Sequence, residues 1–364
     1  PPPAKAVQRI VAVGDSITDG NTYPQIIMQA LKEARRPAPA VVCSGVASDT
    51  AAKIAARLEA TVLSYRPDVV TFLAGTNDSL HGVAPQRYEQ ALREVSAGVK
   101  AAGAKMILLT PPVVEPSLDA EGNTVEGSAA KAEAAEKILA EYEKIVRKVA
   151  REEGHAVAEN RALMQQAQRE GKAIMAADGI HPNYLGQSLI ARSILDAMGH
   201  QDVPLPAEFR PPLLPGVVRQ WRMRLAPAGA DGKPQPLDEQ SVAALAPDET
   251  WKTYTLPDPV PPEAPTAEDW WEQERRNGFA LRVHQEVGKG LVQAVAHVES
   301  ARTQDGWINV AVGVVRVWLN GQKVYQKPVD WTGFHAGKER VAVRLAAGRN
   351  ILVAEKLVWE EDLR

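Results

Sequence analysis

Two hydrophobic patterns divide the 364-residue chain. Over roughly the first two hundred residues, short continuous apolar runs alternate with segments of helical period. Ile10-Val11-Ala12-Val13, Val41-Val42-Cys43, Val69 to Ala74, Lys105 to Leu109 and His155 to Ala158 read as strands buried on both faces. Between them, helices are predicted over about 24–35, 85–102, 129–153 and 160–170, and from an Asn183 cap to Gly199. A further helix, with Ile54, Leu58 and Val62 on one face, follows the turn Ser44–Thr50, where Ser48 or Asp49 can cap it. Ile138, Leu139, Tyr142, Ile145, Val146 and Val149 form the buried stripe of the long helix, with Gly154 as its C-cap. Residues 115–128 read as a loop or small hairpin. Strands alternating with helices at this spacing predict an α/β domain with a parallel sheet covered on both faces.

After Gly199 the pattern changes. Pro204, Pro206, Pro211, Pro212 and Pro215 predict a stiff linker. Beyond it, Val217–Leu225, Trp251–Thr255, Phe279–Val283, Leu291–Val298, Ile308–Leu319, Val324–Gln326, Val341–Leu345 and Ile351–Val358 read as strands. Asn320-Gly321 is a strong signal for a two-residue hairpin turn. Segments 227–249 and 256–270 are rich in Pro, Asp and Glu and are expected to be long loops. The expected domains are 1–200 (α/β), 201–215 (linker) and 216–364 (an all-β sandwich).

Composition narrows the choices only a little. A hydrophobic content of 45% and a charged content of 24% are ordinary for a globular protein. The net charge of -3 gives no basic footprint for nucleic acid. No apolar run approaches the roughly 18 residues of a membrane span. The single cysteine, Cys43, excludes an intrachain disulfide and reads as a small buried hydrophobe. Pro1-Pro2-Pro3-Ala4-Lys5 has the look of a trimmed terminus, so export to the periplasm or the outside of the cell is expected.

The chemistry lies at the strand ends. In a parallel sheet all carboxyl ends share one edge, so residues distant in sequence converge there. Four polar clusters occupy such positions: Gly14-Asp15-Ser16-Ile17-Thr18, Gly45, Gly75-Thr76-Asn77-Asp78, and Asp178-Gly179-Ile180-His181-Pro182. Acyl transfer needs a nucleophile, a base, an orienter for the base and donors for an oxyanion. Ser16 can attack, His181 can take its proton, and Asp178 can accept the other ring N–H of His181. The backbone N–H groups of Ser16 and Gly45 and the Asn77 amide can donate to the oxyanion. Each cluster alone has a plainer structural reading as a cap or turn. Asp15 and Asp78 are expected to brace their loops, and His81 to be a solvated loop residue. No cofactor or metal is implied.

These four blocks, in this order, resemble the SGNH (GDSL-type) esterases over residues 8 to 199. The resemblance implies a flavodoxin-like three-layer domain, with Ser16, Asp178 and His181 as triad and Ser16, Gly45 and Asn77 as oxyanion hole. The sequence departs from that family in its second block, where a glycine is usual at Ser48 and an asparagine near Cys43. No G-x-S-x-G elbow is present, which argues against the common α/β-hydrolase fold.

Residues 280–358 are similar to jelly-roll, galactose-binding-like accessory domains of polysaccharide-active enzymes, on the runs Trp318–Val324 and Val343–Asn350. Trp270, Trp271, Trp307 and Trp331 can stack on sugars or serve as core. The expected function is therefore a serine esterase hydrolysing O-acyl, chiefly O-acetyl, esters on carbohydrate. A lipid or aryl esterase or thioesterase and a non-catalytic glycan-binding protein are the alternatives. Oligomeric state is not legible.

Overall fold

The computed structural model describes residues 7, 9–210, 217–256, 283–310, 313–327 and 339–358. They form two compact units, the change falling between Arg210 and Val217.

In the first unit, β1 (Arg9–Gly14), β2 (Ala40–Gly45), β3 (Val69–Phe72), β4 (Lys105–Leu109) and β5 (Ala156–Ala158) make one parallel sheet in the order β2-β1-β3-β4-β5. Successive residues point to opposite faces, and both faces are apolar. Val11, Val13, Val70, Phe72, Met106 and Leu108 pack on one side against α3 (Ala51–Thr61), α5 (Pro85–Ala101) and α6 (Ser128–Glu153). Ile10, Ala12, Val69, Ile107 and Leu109 pack on the other against α2 (Thr22–Glu33), α7 (Asn160–Arg169) and α8 (Tyr184–Ala197). This double burial is why the strands read as continuous apolar runs. Each fully buried aliphatic side chain contributes about 1.5–3 kcal/mol. The result is a three-layer α/β unit with the doubly wound strand order, whose switch point lies between β1 and β3.

Two helices of one turn were not legible in the apolar pattern: α1 (Ser16–Asp19) directly after β1 and α4 (Thr76–Leu80) after β3. Both are polar and too short to show a period. The cap of α3 also differs from expectation. Thr50, not Ser48 or Asp49, accepts the N–H of Lys53. Asp49 is drawn inward by Arg57, and Ser48 sits in the left-handed region at φ 63. That backbone conformation explains the glycine usual there in the resembling family. Segment 115–128 does contain a small hairpin, bridged Leu118 to Thr124.

The second unit is all-β and antiparallel. A six-stranded sheet has the order β11-β10-β13-β8-β6-β7, built from β6 (Gln220–Leu225), β7 (Lys252–Thr255), β8 (Gly290–Ser300), β10 (Val314–Leu319), β11 (Gln322–Gln326) and β13 (Gly348–Val358). β9 (Gln304–Val310) and β12 (Glu339–Leu345) form a separate pair. Val310 and Val343 of that pair pack with Val317, Leu319 and Leu352 of the large sheet. The run expected as one strand, Ile308–Leu319, is two strands in different sheets, turning at Gly313 with φ 71. Asn320 and Gly321 both have positive φ, 52 and 83, and join Leu319 to Gln322 as the type I′ turn their sequence predicts.

Segment 227–249 is more than loop. It carries α9 (Glu239–Ala243), and Leu237, Val242 and Trp251 pack with Val295, Trp318 and Val353. Its sparse apolar residues supply a cover without showing a period. Of the expected strand Phe279–Val283 only Val283 lies among the described residues, and it opens a helical turn. Trp307 is 54% exposed on β9, while Trp270, Trp271 and Trp331 lie outside the described residues.

The strain at Ser48 is testable. A left-handed non-glycine residue costs about 1–2 kcal/mol, of which glycine's looser unfolded state returns about 0.5–1. Ser48→Gly is therefore expected to raise unfolding stability by about 0.5–1 kcal/mol in urea titrations, and a loss of stability would refute the strain.

Candidate active site

The site is assembled at the carboxyl edge of the parallel sheet. β1 ends at Gly14, and Asp15 caps α1 by accepting the N–H of Ile17 at 3.0 Å. Ser16 is thereby the first residue of α1, its N–H among those with no partner inside the helix. The last block hangs on a turn before α8. Asp178 Oδ1 accepts the backbone N–H groups of Ile180 and His181 at 2.8 and 2.9 Å. Gly179 has φ 69, and a Cβ there would lie 2.1 Å from Glu115 O, so this turn needs glycine. Glu115 N and Leu118 N donate in return to Gly179 O and Ala177 O, tying the turn to segment 115–118.

These two turns place three side chains in a line. His181 Nδ1 is 2.6 Å from Asp178 Oδ2, and His181 Nε2 is 2.7 Å from Ser16 Oγ. With Nδ1–H committed to the carboxylate, Nε2 is left to accept from the Ser16 hydroxyl. Burial opposes ionisation of Asp178, but the side chain and charge of His181 and the two backbone donors outweigh it and hold the carboxyl below its usual range.

Gly45 ends β2 in register with Gly14. A Cβ on Gly45 would stand 2.1 Å from Asp19 N and 2.5 Å from Asp19 Cα, so α1 and β2 can meet only at a glycine. Asn77 lies in α4, where its Nδ2 donates to Asp49 O at 3.0 Å and makes a longer contact of 3.4 Å to Asp15 Oδ2. The structure thus joins Ser16, His181 and Asp178 directly, sets Gly45 against α1, and links Asn77 to the Ser16 turn through Asp15. Asp15 and Asp78 act as loop braces, Asp78 accepting Ala51 N at 3.1 Å. His81 is exposed. Cys43 differs from expectation: it is only partly buried, and its Sγ donates to Thr18 O at 3.0 Å.

Sequence reasoning did not single out Arg57 or Asp19, and read Asp49 only as a candidate helix cap. Arg57 lies on the buried face of α3, with Ile54 and Leu58, and is 8% exposed. A charge on an apolar stripe was the available signal. Asp15, Asp19, Asp49 and Asp78 are all buried. Burial pushes the Asp15 carboxyl up to about 7, opposed by Ile17 N–H and the His181 charge and reinforced by Asp78 and Asp49. Burial likewise pushes Asp78 up to about 6 against the Ala51 N–H, and raises Asp19 despite the Ala47 N–H and Arg57.

A parallel α/β unit with a serine, a histidine and an aspartate in line at its carboxyl edge defines a hydrolase-type site. Residues 12–189 match the model of the GDSL-like Lipase/Acylhydrolase family, and the chain carries a domain of that family. It is similar to Thioesterase 1/protease 1/lysophospholipase L1 of Escherichia coli K12, 31% identical over 112 residues, which are 29% of this chain and 52% of the relative. It is also similar to an acetylxylan esterase of Geobacillus stearothermophilus, 24% identical over 221 residues, covering 53% of this chain and 95% of that one. A solved structure of an acetylxylan esterase from the same organism has a TM-score of 0.46 at 23% identity, covering 53% of this chain and 94% of that one. The chain spans about half the length of the first curated relatives it matches, 52%. Among the described residues no helix is long and apolar enough to cross a membrane.

The buried carboxyls give a pH prediction. Unfolding returns Asp15 from about 7 to the ordinary 3.8, so between those values the unfolded chain holds fewer protons and stability falls as pH rises. Asp15→Asn keeps an N-cap and loses this term. Relative to the wild type, it is expected to gain up to about 4 kcal/mol between pH 4 and pH 7. Thermal melts across that range check it, and parallel curves for the two proteins would refute the raised carboxyl.

Proposed function

We propose that the protein is a serine carboxylic ester hydrolase, in which Ser16, His181 and Asp178 form the triad and the Ser16 N–H, the Gly45 N–H and the Asn77 amide form the oxyanion hole. The observation that carries this reading is the continuous Ser16–His181–Asp178 chain, with separations of 2.7 and 2.6 Å. Ser16 Oγ attacks the ester carbonyl while its proton passes to His181 Nε2. Asp178, ionised and fixed by two backbone donors, holds the ring and stabilises the imidazolium. The carbonyl oxygen gains a negative charge facing the three donors. Asn77 has one amide hydrogen anchored on Asp49 O, and the other, loosely placed toward Asp15, turns to the oxyanion. Collapse breaks the ester C–O bond, and His181 returns the proton to the departing alcohol. Water, activated by the same nitrogen, then hydrolyses the acyl-Ser16 and regenerates the enzyme.

The substrate class we favour is an O-acetyl ester on carbohydrate. Two observations support it: the acetylxylan esterase relative is matched over 95% of its length, and an all-β unit with an exposed Trp307 follows the α/β unit. The second reading, a lipid or aryl esterase or thioesterase, is favoured by the 31% identity to a thioesterase/lysophospholipase.

Ser16→Ala is expected to lower kcat on p-nitrophenyl acetate by at least about 10⁴-fold with an unchanged circular dichroism spectrum, and retained turnover would exclude Ser16 as nucleophile. An acyl-length series separates the two substrate readings. A carbohydrate deacetylase loses activity steeply beyond acetyl, whereas activity rising toward octanoyl would support the lipid reading. Asn77→Ala is expected to cut kcat by about 10²–10³-fold with KM little changed. An effect confined to KM would contradict an oxyanion role.

A further inference from the structure

Behind the candidate oxyanion hole, one buried guanidinium meets five acceptors. Arg57 Nε donates to Asp49 Oδ2 at 2.6 Å. Its Nη1 donates to Ser44 Oγ at 2.9 Å and Thr61 Oγ1 at 2.8 Å, and its Nη2 to Ser44 O at 2.9 Å and Gly14 O at 3.1 Å. An arginine has five N–H groups, and each finds an oxygen here. The identity of those oxygens matters more than their number. Gly14 O is two residues before Ser16. Ser44 O belongs to the residue before Gly45. Asp49 is the residue whose backbone oxygen anchors the Asn77 amide at 3.0 Å. Each of the three chain segments that carry a donor is thus held, directly or through one hydrogen bond, by the same planar cation.

We propose that Arg57 is the positioning residue of the oxyanion hole, fixing the mutual spacing of the Ser16, Gly45 and Asn77 donors through its hold on Gly14 O, Ser44 O and Asp49. The inference rests on the esterase reading given above. The three donors come from the ends of three separate strands, and no covalent bond or single helix sets their distances. Hydrogen-bond donors stabilise an oxyanion only when their spacing suits the tetrahedral oxygen rather than the ground-state carbonyl. A shift of about 1 Å can cost about 10²-fold in rate. The rigid fork of a guanidinium holds several acceptors at fixed angles, which an ammonium on a flexible stem does not. Arg57 touches no substrate atom in this scheme; it acts through the backbone.

The test uses the full chain with p-nitrophenyl acetate as substrate and an arylboronic acid as probe, since the boronate forms a tetrahedral anion on the nucleophilic serine. In Arg57→Lys and Arg57→Met, kcat is expected to fall about 10²-fold. KM should stay within about threefold, and boronate affinity should weaken in proportion to kcat. A merely structural role would instead lower the folded fraction and leave kcat per folded molecule and the boronate constant unchanged. Full activity in Arg57→Lys would show that charge alone suffices and overturn the positioning role. Should neither variant fold, Asp49→Asn and Ser44→Ala each weaken one arm with little change of shape. Each is expected to lower kcat at least fivefold at constant KM, and unchanged kcat in both overturns the proposal. A wild-type protein that neither turns over acetyl ester nor reacts at Ser16 with an organophosphonate removes the esterase reading itself. An active wild type with unaffected variants removes only the role of Arg57.

Discussion

The site depends on a hydrogen bond that spans 165 positions in the chain, from Ser16 Oγ to His181 Nε2. Neither residue can be moved without moving an element of the sheet. Ser16 is set by the carboxyl end of β1 and the cap of α1. His181 is set by a turn that Asp178 closes on its own backbone and that segment 115–118 supports from outside. A parallel sheet is what makes this possible. It sends every strand toward the same edge, and the order β2-β1-β3-β4-β5 opens a crevice between the turns that follow β1 and β3. The serine turn and the Asn77 turn stand on either side of that crevice. Folding the sheet and assembling the chemistry are therefore one event.

Local consistency is given up around this crevice. Four carboxylates are buried within a few turns of one another, and the charges of Asp49 and Asp78 raise the pKa of Asp15 further. Burying a carboxylate is costly unless it is paired or loses its charge. Both solutions occur here. Asp49 is paired to Arg57, Asp15 and Asp78 take backbone N–H groups, and Asp15 is pushed toward the neutral form. Ser48 adds a left-handed residue with a side chain. Such departures cluster where function over-determines the structure, and the hydrophobic layers on both faces of the sheet supply the stability that tolerates them.

The sheet was legible because its strands are buried on both faces. Five apolar runs announced β1 to β5 to within two residues at either end, and Asn183 and Gly154 marked helix ends as capping physics requires. The polar residues of the last block were legible as well, since Asp178 and His181 are three apart on one turn. What escaped is non-local or aperiodic. α1 and α4 have one turn each and no stripe. The cap of α3 passed to Thr50 because Arg57, far along the same helix, claims Asp49. In the second unit, the break at Gly313 was hidden because the residues on either side of it are equally β-prone although they serve different sheets. Segment 227–249 covers a sheet face with Leu237, Val242 and the partly buried Leu245, which have no period to reveal them.

Side-chain contact alone does not set one serine–histidine–carboxylate group apart from another, and this chain contains two. Ser96 Oγ lies 2.6 Å from His155 Nε2, and Glu153 contacts both groups, so a serine, a histidine and a carboxylate meet a second time. Yet this set sits at the opposite edge of the sheet, where β5 begins, with Ser96 fully buried between α5 and the end of α6. The same Glu153 carboxylate is shared with Arg93 and Lys100, and burial holds the His155 pKa below its usual value, followed by the Lys100 charge and against the pull of Glu153. In a doubly wound sheet the crevice of the switch point opens at the carboxyl edge, not at this amino edge. The difference between Ser96 and Ser16 is therefore topological. Under the proposed function, the strand order puts Ser16, and not Ser96, at the edge where the ends of β1, β2 and β3 come together.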